Sequence, residues 1–298
     1  MRILLLHNPS AGDSEPAGSE LVDALEARGH EAVYRSLDEL SPAQALAEAA
    51  DLVAVAGGDG TVGKIARRLA GSDRIMTVLP CGTANNIARH LRFTRDPIEI
   101  IDHLDDLEPR GFDIGMAKGP WGNRVFLEGA GFGLFPQLMP FLKASAKAQD
   151  FDDPREQVSE LRTLLADLLA SFEAREWRIE VDGQVVEGRF LLIEALNIGT
   201  VGPRLELAPD ADSGDGLLDL VCLTEDDREP LLALLENEPD ETAKAPFQVT
   251  RASRVTLEWD GSAAHIDSDV WAAGKQGLGK IKRPKEPVPA RVRLALHP

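Results

Sequence analysis

LVAVAGGDGTV, residues 52–62, joins five apolar residues to a turn that contains three glycines. An apolar run without alternation is typical of a strand buried on both faces, and glycine lets the backbone bend sharply because it has no Cβ. The next segment, residues 62–70, is predicted as a helix, whose positive end would face an anion bound at the turn. The stretch therefore indicates either a phosphate-binding loop, with Thr61 adding a hydroxyl group, or an ordinary strand-to-helix turn.

Strands and helices alternate through the first third of the chain. Strands are predicted at 2–6, 31–35, 52–56 and 75–79, and helices at 18–28, 42–50, 62–70 and 84–91. This order is typical of a parallel sheet with helices on both faces, in which ligands bind beyond the carboxyl ends of the strands. The loops NPSAG at 8–12, GGDGT at 57–61 and PCGT at 80–83 each follow a strand. We therefore expect them at one edge of the sheet.

The pattern changes near Pro109. Strand-like runs follow at 111–116, 124–127, 178–181, 184–197, 217–223, 247–250, 254–259 and 288–296. Strands without helices between them indicate antiparallel pairing, although the segment 154–175 repeats leucine at the spacing of an amphipathic helix. We predict an α/β nucleotide-binding domain with a parallel sheet over 1–118. A mostly antiparallel β domain that carries this helix would cover 119–298.

The composition excludes some classes of function. A net charge of −18 over 298 residues argues against nucleic-acid binding, because phosphate backbones require a basic surface. No apolar run approaches the roughly 20 residues that cross a bilayer, and the opening MRILLLH is interpreted as a strand rather than a signal peptide. Cys81 and Cys222 form no metal-ligand pattern. We expect a cytoplasmic protein whose contact with the inner membrane, if any, is peripheral, and a homodimer is compatible with the sequence.

Several stretches, in a fixed order, resemble one family. GGDGTV at 57–62 and PCGTANNIARHL at 80–91 are similar to the paired nucleotide loops of the diacylglycerol kinase catalytic family, which includes sphingosine and ceramide kinases and bacterial lipid kinases. Four more segments of this chain resemble segments of the same family: HNPSAG at 7–12, FDIG at 112–115, EGAGFG at 128–133 and LNIGTVGPRLELAPDADSGDGLLDL at 196–220. GGDGT alone is a weak signal, because NAD kinases and phosphofructokinases share it. The ordered combination, over roughly residues 3–270, is specific.

The resemblance implies a two-domain kinase that binds ATP at the loops of the first domain and presents a lipid hydroxyl from a cleft toward the second. The residues implied to bind the nucleotide are Asn8, Ser36, Gly57, Gly58, Asp59, Gly60, Thr61, Gly82 and Thr83. The glycines would cradle phosphates and the threonines would donate hydroxyl groups. Asp59 cannot donate to a phosphate while ionised, so it would either hold Mg²⁺ through water or brace the loop.

The motif DSGDGLLD at 212–219 is implied to hold a second, structural Mg²⁺. By resemblance, the carboxylate of Asp215 and backbone oxygens near Asp212 and Leu217 would be the ligands, and oxygen is the ligand atom that this cation prefers. Acidic residues in an exposed turn are the alternative interpretation.

The general base is implied at Asp267, Ser268 and Asp269, where the family has aspartate, glycine and glutamate after a late strand. Asp269 would take the proton from the acceptor hydroxyl, and the nearby charge of Asp267 would raise the pKa of Asp269. Aspartate is one methylene shorter than glutamate, so either the acceptor would lie deeper, a water would relay the proton, or the activity would be weak. A purely structural turn is the alternative interpretation.

Three functions remain open from the sequence. The first is an ATP-dependent lipid kinase that works with Mg²⁺ on diacylglycerol or a related lipid, such as a sphingoid base, at a membrane surface. The second is an NAD kinase, which the segments at 80–91 and 207–219 disfavour. The third is a non-catalytic ATP-binding relative, a hypothesis motivated by Asp269 and by Lys64, which stands where the family often has an acidic residue.

Overall fold

The structure is a computed structural model that describes residues 1–12, 15–119, 121–138, 153–237, 246–259, 262–271, 277–282 and 291–296. These residues divide into two compact units. The first consists of Met1–Phe112, residues 153–155 and the strand Arg291–Leu296, and the second consists of the described residues of 113–138 and 156–282. The chain enters the second unit at Asp113, and its last described strand returns to the first.

The first unit is built on a six-stranded sheet. Its strands are β1 Arg2–His7, β2 Glu31–Ser36, β3 Leu52–Gly57, β4 Ile75–Pro80, β5 Glu108–Asp113 and, much later in the chain, β20 Arg291–Leu296. The order is β2-β1-β3-β4-β20-β5, and the pairs from β2 through β20 are parallel. The helices are α1 Gly18–Ala27, α2 Pro42–Ala45, α3 Asp59–Leu69, α4 Asn86–His90 and α5 Pro97–Ile101, followed by a 3-10 turn at Leu104–Asp106. The predicted parallel α/β sheet is confirmed.

Strand β3 carries the opening stretch and is buried along its whole length, as its apolar run predicts. Helix α3 begins at Asp59, three residues earlier than predicted. Gly58 takes the extended conformation that precedes a helix, and its carbonyl accepts hydrogen bonds from the N–H groups of Thr61 and Val62. An acidic residue such as Asp59 is favoured in a first turn by the helix dipole. The loop after β3 is therefore short, and most of GGDGT forms the first turn of the helix that follows it.

Helix α2 is shorter than the predicted 42–50. Ser41 and Gln44 form its capping box, but the helix ends at Ala45. The guanidinium group of Arg74 donates to the carbonyl oxygens of Leu46 and Glu48 at 2.7 and 3.0 Å. A distant side chain thus binds carbonyl groups that a continuing helix would have used.

The second unit is mostly antiparallel, as predicted, and contains two six-stranded sheets. Its strands are β6 Gly115–Gly119, β7 Gly122–Phe126, β8 Gly129–Gly133, β9 Arg175–Val181, β10 Gln184–Phe190, β11 Leu192–Leu196, β12 Thr200–Val201, β13 Leu205–Glu206, β14 Leu218–Leu223, β15 Val249–Ala252, β16 Arg254–Trp259, β17 Ala264–Ile266, β18 Asp269–Trp271 and β19 Gly277–Lys282. The outer sheet has the order β10-β9-β16-β19-β6-β7, the inner sheet has the order β15-β14-β11-β8-β17-β18, and β12 pairs with β13.

The inner sheet is covered on both faces. On one face, residues such as Phe132 and Ile193 pack against Trp177 and Ile179 of the outer sheet. On the other, Leu192 and Val221 pack with the helices α6, Pro154–Ser171, and α7, Arg228–Glu236, which follows a 3-10 turn at Glu225–Asp227. The leucine stripe predicted at 154–175 is therefore core. Among the described residues, no helix combines the length and apolarity that crossing a bilayer requires.

Candidate functional site

The three loops that follow β1, β3 and β4 meet at the carboxyl edge of the first sheet. A Cβ added to Gly82 would lie 2.3 Å from the Cα of Gly58, and one added to Gly12 would lie 2.5 Å from the carbonyl oxygen of Cys81. Backbone approaches this close exclude any side chain. The structure thus brings NPSAG, GGDGT and PCGT to one edge, as their positions after parallel strands predict.

Asn8 and Thr61 connect the first two loops directly. The side-chain amide of Asn8 donates to Thr61 Oγ1 at 2.9 Å, while its oxygen accepts from the N–H of Ser10 at 3.3 Å. Ser36 lies at the end of β2, in register with His7 at the end of β1, and is buried. Asn8 and Thr61 are therefore held in place by contacts within the protein.

Asp59 connects the segment after β3 to helix α4, and Asn85 closes the loop after β4 on itself. Asp59 Oδ1 accepts from the N–H of Ile87 in the first turn of α4 at 2.9 Å, which is the bracing contact considered for this residue. Asn85, in a left-handed conformation, accepts from Gly82 N and donates to Gly82 O, at 2.9 and 2.6 Å. Thr83 lies between β4 and α4, and Gly60 lies exposed in the first turn of α3.

His7 is a residue at this edge that the sequence did not single out as a candidate. Its Nδ1 lies 3.1 Å from the hydroxyl of Tyr34, and the two rings are tilted, with centroids 5.9 Å apart. Burial lowers the pKa of His7 below its ordinary value of 6.5, although the carboxylate of Asp38 opposes part of the shift. The ring is therefore largely neutral at pH 7, and it leaves no added positive charge beside the loops.

The motifs of the second unit converge on Asn197, which lies at the end of β11. Its side-chain amide donates to the carbonyl oxygens of Asp113 and Leu127 at 3.0 and 2.7 Å, and its N–H donates to Glu128 O at 2.8 Å. Asn197 thereby joins FDIG, EGAGFG and LNIG, three segments that lie far apart in the sequence. Because its polar groups are buried, this junction is a fixed part of the unit.

The loop at 212–217 is held by hydrogen bonds within itself and to Asp113. Gly216 N donates to Asp113 Oδ2 at 2.8 Å, and Asp113 N donates to Ser213 O at 2.6 Å. Asp212 Oδ1 accepts from Gly214 N at 2.9 Å, and Asp215 Oδ1 accepts from Leu217 N at 2.8 Å. These turns fix the conformation of the loop.

The guanidinium group of Arg251 forms an ion pair with Asp215 Oδ2. The structural Mg²⁺ that the resemblance implied with Asp212, Asp215 and Leu217 stays a prediction, and a cation bound to this carboxylate would have to share it with Arg251. Across the described residues, no group of three or more His, Cys, Asp or Glu side chains is arranged to hold a metal ion.

Asp267 and Asp269 occupy different positions in the hairpin formed by β17 and β18. The carboxylate of Asp267 accepts from the N–H groups of Leu127 and Glu128, at 3.1 and 2.9 Å. Asp269 pairs with Ile266 as the first residue of β18 and is exposed. Asp267 is thus bound to the backbone, while Asp269 carries the carboxylate that reaches solvent.

Sequence reasoning also missed Glu194, which is fully buried in β11 and contacts His265 of β17. The sequence did contain one indication that Glu194 has a specific partner. Glu194 is an acidic residue inside the apolar run FLLIEALNI, at 190–198, and a buried carboxylate requires a cationic or hydrogen-bonding partner. The identity of that partner depends on strand order, which the run itself does not contain.

Comparison with known proteins gives matches over both units. Residues 2–117 match the model of the diacylglycerol kinase catalytic domain, and residues 143–294 match that of the YegS C-terminal NAD kinase beta sandwich-like domain. A diacylglycerol kinase from Bacillus subtilis (strain 168) is 30% identical over 241 residues, which cover 74% of this chain and 73% of that protein. A diacylglycerol kinase from Mycobacterium tuberculosis (strain H37Rv) is 28% identical over 236 residues, which cover 76% and 73%.

A solved structure of a diacylglycerol kinase from Bacillus anthracis (strain Sterne) superposes with a TM-score of 0.68 at 18% sequence identity. The superposition covers 100% of this chain and 97% of the other. At that identity it shows that the two chains share a fold.

Proposed function

The chain belongs to the diacylglycerol kinase catalytic-domain family, and from this premise we propose that it is an ATP-dependent lipid kinase. It would transfer the γ-phosphate of ATP to a hydroxyl group of diacylglycerol or of a related lipid, such as a sphingoid base. The observation that carries the proposal is the meeting of three strand-end loops around Gly12, Gly58 and Gly82, because backbone packed this closely beside the start of α3 suits a chain of phosphates.

The residues of the first unit would bind and orient the nucleotide. The Asn8 amide donates to Thr61 Oγ1, so the hydroxyl hydrogen of Thr61 would be directed to a phosphate oxygen. Asp59 would hold α4 and the PCGT loop in place through Ile87 N, and Ser36, Gly57, Gly60 and Thr83 complete the proposed contact set. Mg²⁺ carried in with the nucleotide would offset the negative charge of the phosphates during transfer.

The second unit would supply the group that accepts the proton. Asp269 is exposed and lies in the segment that resembles the family's base, so we assign it as general base for the lipid hydroxyl. The carboxylate of Asp267 is hydrogen-bonded to backbone N–H groups, so we assign Asp267 to the framework of the turn. The lipid would be reached at a membrane surface through peripheral contact.

The substrate class is tested by phosphate transfer from labelled ATP in one assay with several acceptors. Mixed micelles would carry diacylglycerol, sphingosine or ceramide, and separate reactions would contain NAD or a sugar. We expect label in a lipid. Label in NAD would replace this proposal with an NAD kinase, and tight ATP binding with no labelled product would replace it with a non-catalytic relative.

The proposed base is tested in the same assay with Asp269→Asn. General-base catalysis contributes about 10²- to 10⁴-fold, so we expect kcat to fall within that range while the affinity for ATP stays unchanged. Glu187→Gln is the control, because Glu187 is an exposed carboxylate on the outer sheet. An unchanged kcat in Asp269→Asn would remove Asp269 from the mechanism.

A further inference from the structure

Glu194, Gly131 and His265 lie side by side on three adjacent strands of the inner sheet. In the strand registers, Gly131 of β8 is paired with Glu194 of β11 on one side and with His265 of β17 on the other. A Cβ on Gly131 would lie 2.1 Å from the carboxylate of Glu194. The glycine therefore leaves the space through which the Glu194 side chain crosses β8 and reaches His265.

Both ring nitrogens of His265 meet acceptors. Nε2 lies 2.9 Å from each carboxylate oxygen of Glu194, and Nδ1 lies 3.0 Å from the carbonyl oxygen of Asp267. An ionised Glu194 carboxylate and a carbonyl can only accept, so with Glu194 ionised this geometry assigns a hydrogen to both ring nitrogens, as in an imidazolium. Burial lowers the pKa of His265, but the charge and hydrogen bond of Glu194, aided by Asp267, outweigh it and raise the pKa above its ordinary value of 6.5.

A gain in stability does not explain why a buried ion pair is present at this position. Glu194 and His265 are 0% and 1% exposed, and the centroids of the Phe135 and His265 rings are 5.1 Å apart. Removing two charges from water offsets most of their mutual attraction, and apolar residues of similar volume often replace such a pair without loss of stability. Unlike apolar side chains, however, the pair fixes the direction of a carbonyl group.

That carbonyl belongs to Asp267, whose polar groups are all bound. Its N–H donates to Gly129 O at 2.8 Å, its carboxylate binds backbone N–H groups from Leu127 onward, and its carbonyl accepts from His265. Asp267 also has a φ of +48°, in the left-handed region that most residues avoid. The turn therefore depends on these bonds, and Asp269 follows it directly.

We propose that Glu194 and His265 are positioning residues, in which the imidazolium, oriented by Glu194, holds the Asp267 carbonyl and so places Asp269 for proton abstraction. This inference rests on the proposed function, because Asp269 is the base that the turn positions. No proton passes along the pair during the reaction. The pair contributes by fixing the orientation of the turn that precedes Asp269.

The first test is Glu194→Gln, which keeps the size of the side chain and removes its charge. The pKa of His265 then falls. The neutral ring has only one N–H, so it loses its hydrogen bond either to residue 194 or to the Asp267 carbonyl. We expect the alkaline limb of the kcat profile to move to lower pH, with kcat at about pH 8 reduced 10- to 100-fold and the KM for ATP unchanged. A kcat profile that coincides with that of the wild type would overturn the proposal.

The second variant, His265→Gln, has no titrating ring and one side-chain amide to donate. We expect kcat to be reduced across the whole pH range, and the alkaline limb to be lost. Cys222→Ala is the control, because Cys222 lies in β14 of the same sheet and packs toward its other face. This variant loosens the core without touching the pair, so it should leave the shape of the pH profile unchanged.

Failure of the proposed function is distinguished by a readout that needs no turnover. If the wild type transfers phosphate to no acceptor, the lipid kinase assignment fails, and the pair is judged by amide hydrogen exchange at residues 127–129 and 267–269. Faster exchange there in both variants, without global unfolding, would support the positioning role. Wild-type exchange rates in both variants would overturn it.

Discussion

At Gly82 there is no room for a side chain, since the Cα of Gly58 would lie 2.3 Å from an added Cβ. We expect Gly82→Ala to reduce the free energy of unfolding by about 1–3 kcal/mol, because two loop backbones must separate. Gly60 provides the matched control. An added Cβ there meets nothing within 4 Å, and the residue lies in the first turn of α3, so Gly60→Ala should be neutral or stabilising by up to about 1 kcal/mol.

Urea unfolding of the two variants and the wild type, without nucleotide, measures this difference. Equal loss of stability in both variants would show that the close approach of Gly82 and Gly58 is not what requires glycine at residue 82.

The positions of single residues could be predicted where a local sequence pattern determines them. Gly58, Gly82 and Asn8 follow parallel strands, and such positions must meet at one edge of a sheet. Arg251 and Glu194 could not be predicted in this way. Their partners, Asp215 and His265, lie 36 and 71 residues away in sequence, and the pairings exist because of the order of strands in the inner sheet.

Among the elements, helices α6 and α7 are connected by one buried side chain. Arg162 of α6 is 4% exposed and donates to the carbonyl oxygens of Leu234, Leu235 and Asn237 at the end of α7. It also donates to the carbonyls of Pro203 and Arg204, at 3.2 Å each. The last carbonyls of a helix have no partner within it and form its negative end, which a cation stabilises.

We expect Arg162→Met to reduce the free energy of unfolding by about 2–5 kcal/mol, because it leaves buried carbonyl groups without donors. Arg155→Met on the same helix is the control. The side chain of Arg155 is 82% exposed and pairs with Asp153, so its loss should change stability by less than about 0.5 kcal/mol. Thermal unfolding compares the two, and similar melting temperatures would contradict the role given to Arg162.

Element types could be predicted from periodicity, but several ends could not. The run 184–197 reads as one strand, yet it breaks at Leu191, where the chain leaves the outer sheet as β10 and enters the inner sheet as β11. The run 111–116 similarly divides between β5 and β6, which belong to different units. Apolar residues continue through both breaks because the residues on either side of each break are buried, as are Phe190 and Leu192 at the first and Phe112 and Ile114 at the second, so hydrophobicity alone does not mark the change.

For the whole molecule, the first sheet depends on a strand from the far end of the sequence. Strand β20 lies between β4 and β5, with Arg293 and Leu294 in register with Ile75 and Met76. We expect removal of residues 283–298 to leave β4 with unpaired backbone groups and to abolish nucleotide binding. Amide hydrogen exchange should show that β4 has lost the protection of a central strand.

Removal of residues 297–298, which follow β20, is the control and should preserve both properties. If the longer truncation keeps nucleotide binding and a protected β4, then β20 is dispensable for the first sheet.

The two fold classes could be predicted from the sequence, because the spacing of apolar residues changes near Pro109 from alternating strands and helices to strands alone. The return of the chain to the first sheet could not. The pattern of residues 288–296 predicts a strand, but it does not indicate which strands lie beside it. Those neighbours are determined by side chains distributed over the whole first unit.

The place of β20 has a consequence for synthesis. The ribosome makes β1 to β5 first, but the sheet stays incomplete until the second unit has been translated, an interval of about 10–35 s at 5–20 residues per second. During that interval β4 is an open edge at which a nascent chain could aggregate. We infer that the second unit matures first in the cell, and that the first unit, although encoded first, completes its sheet last.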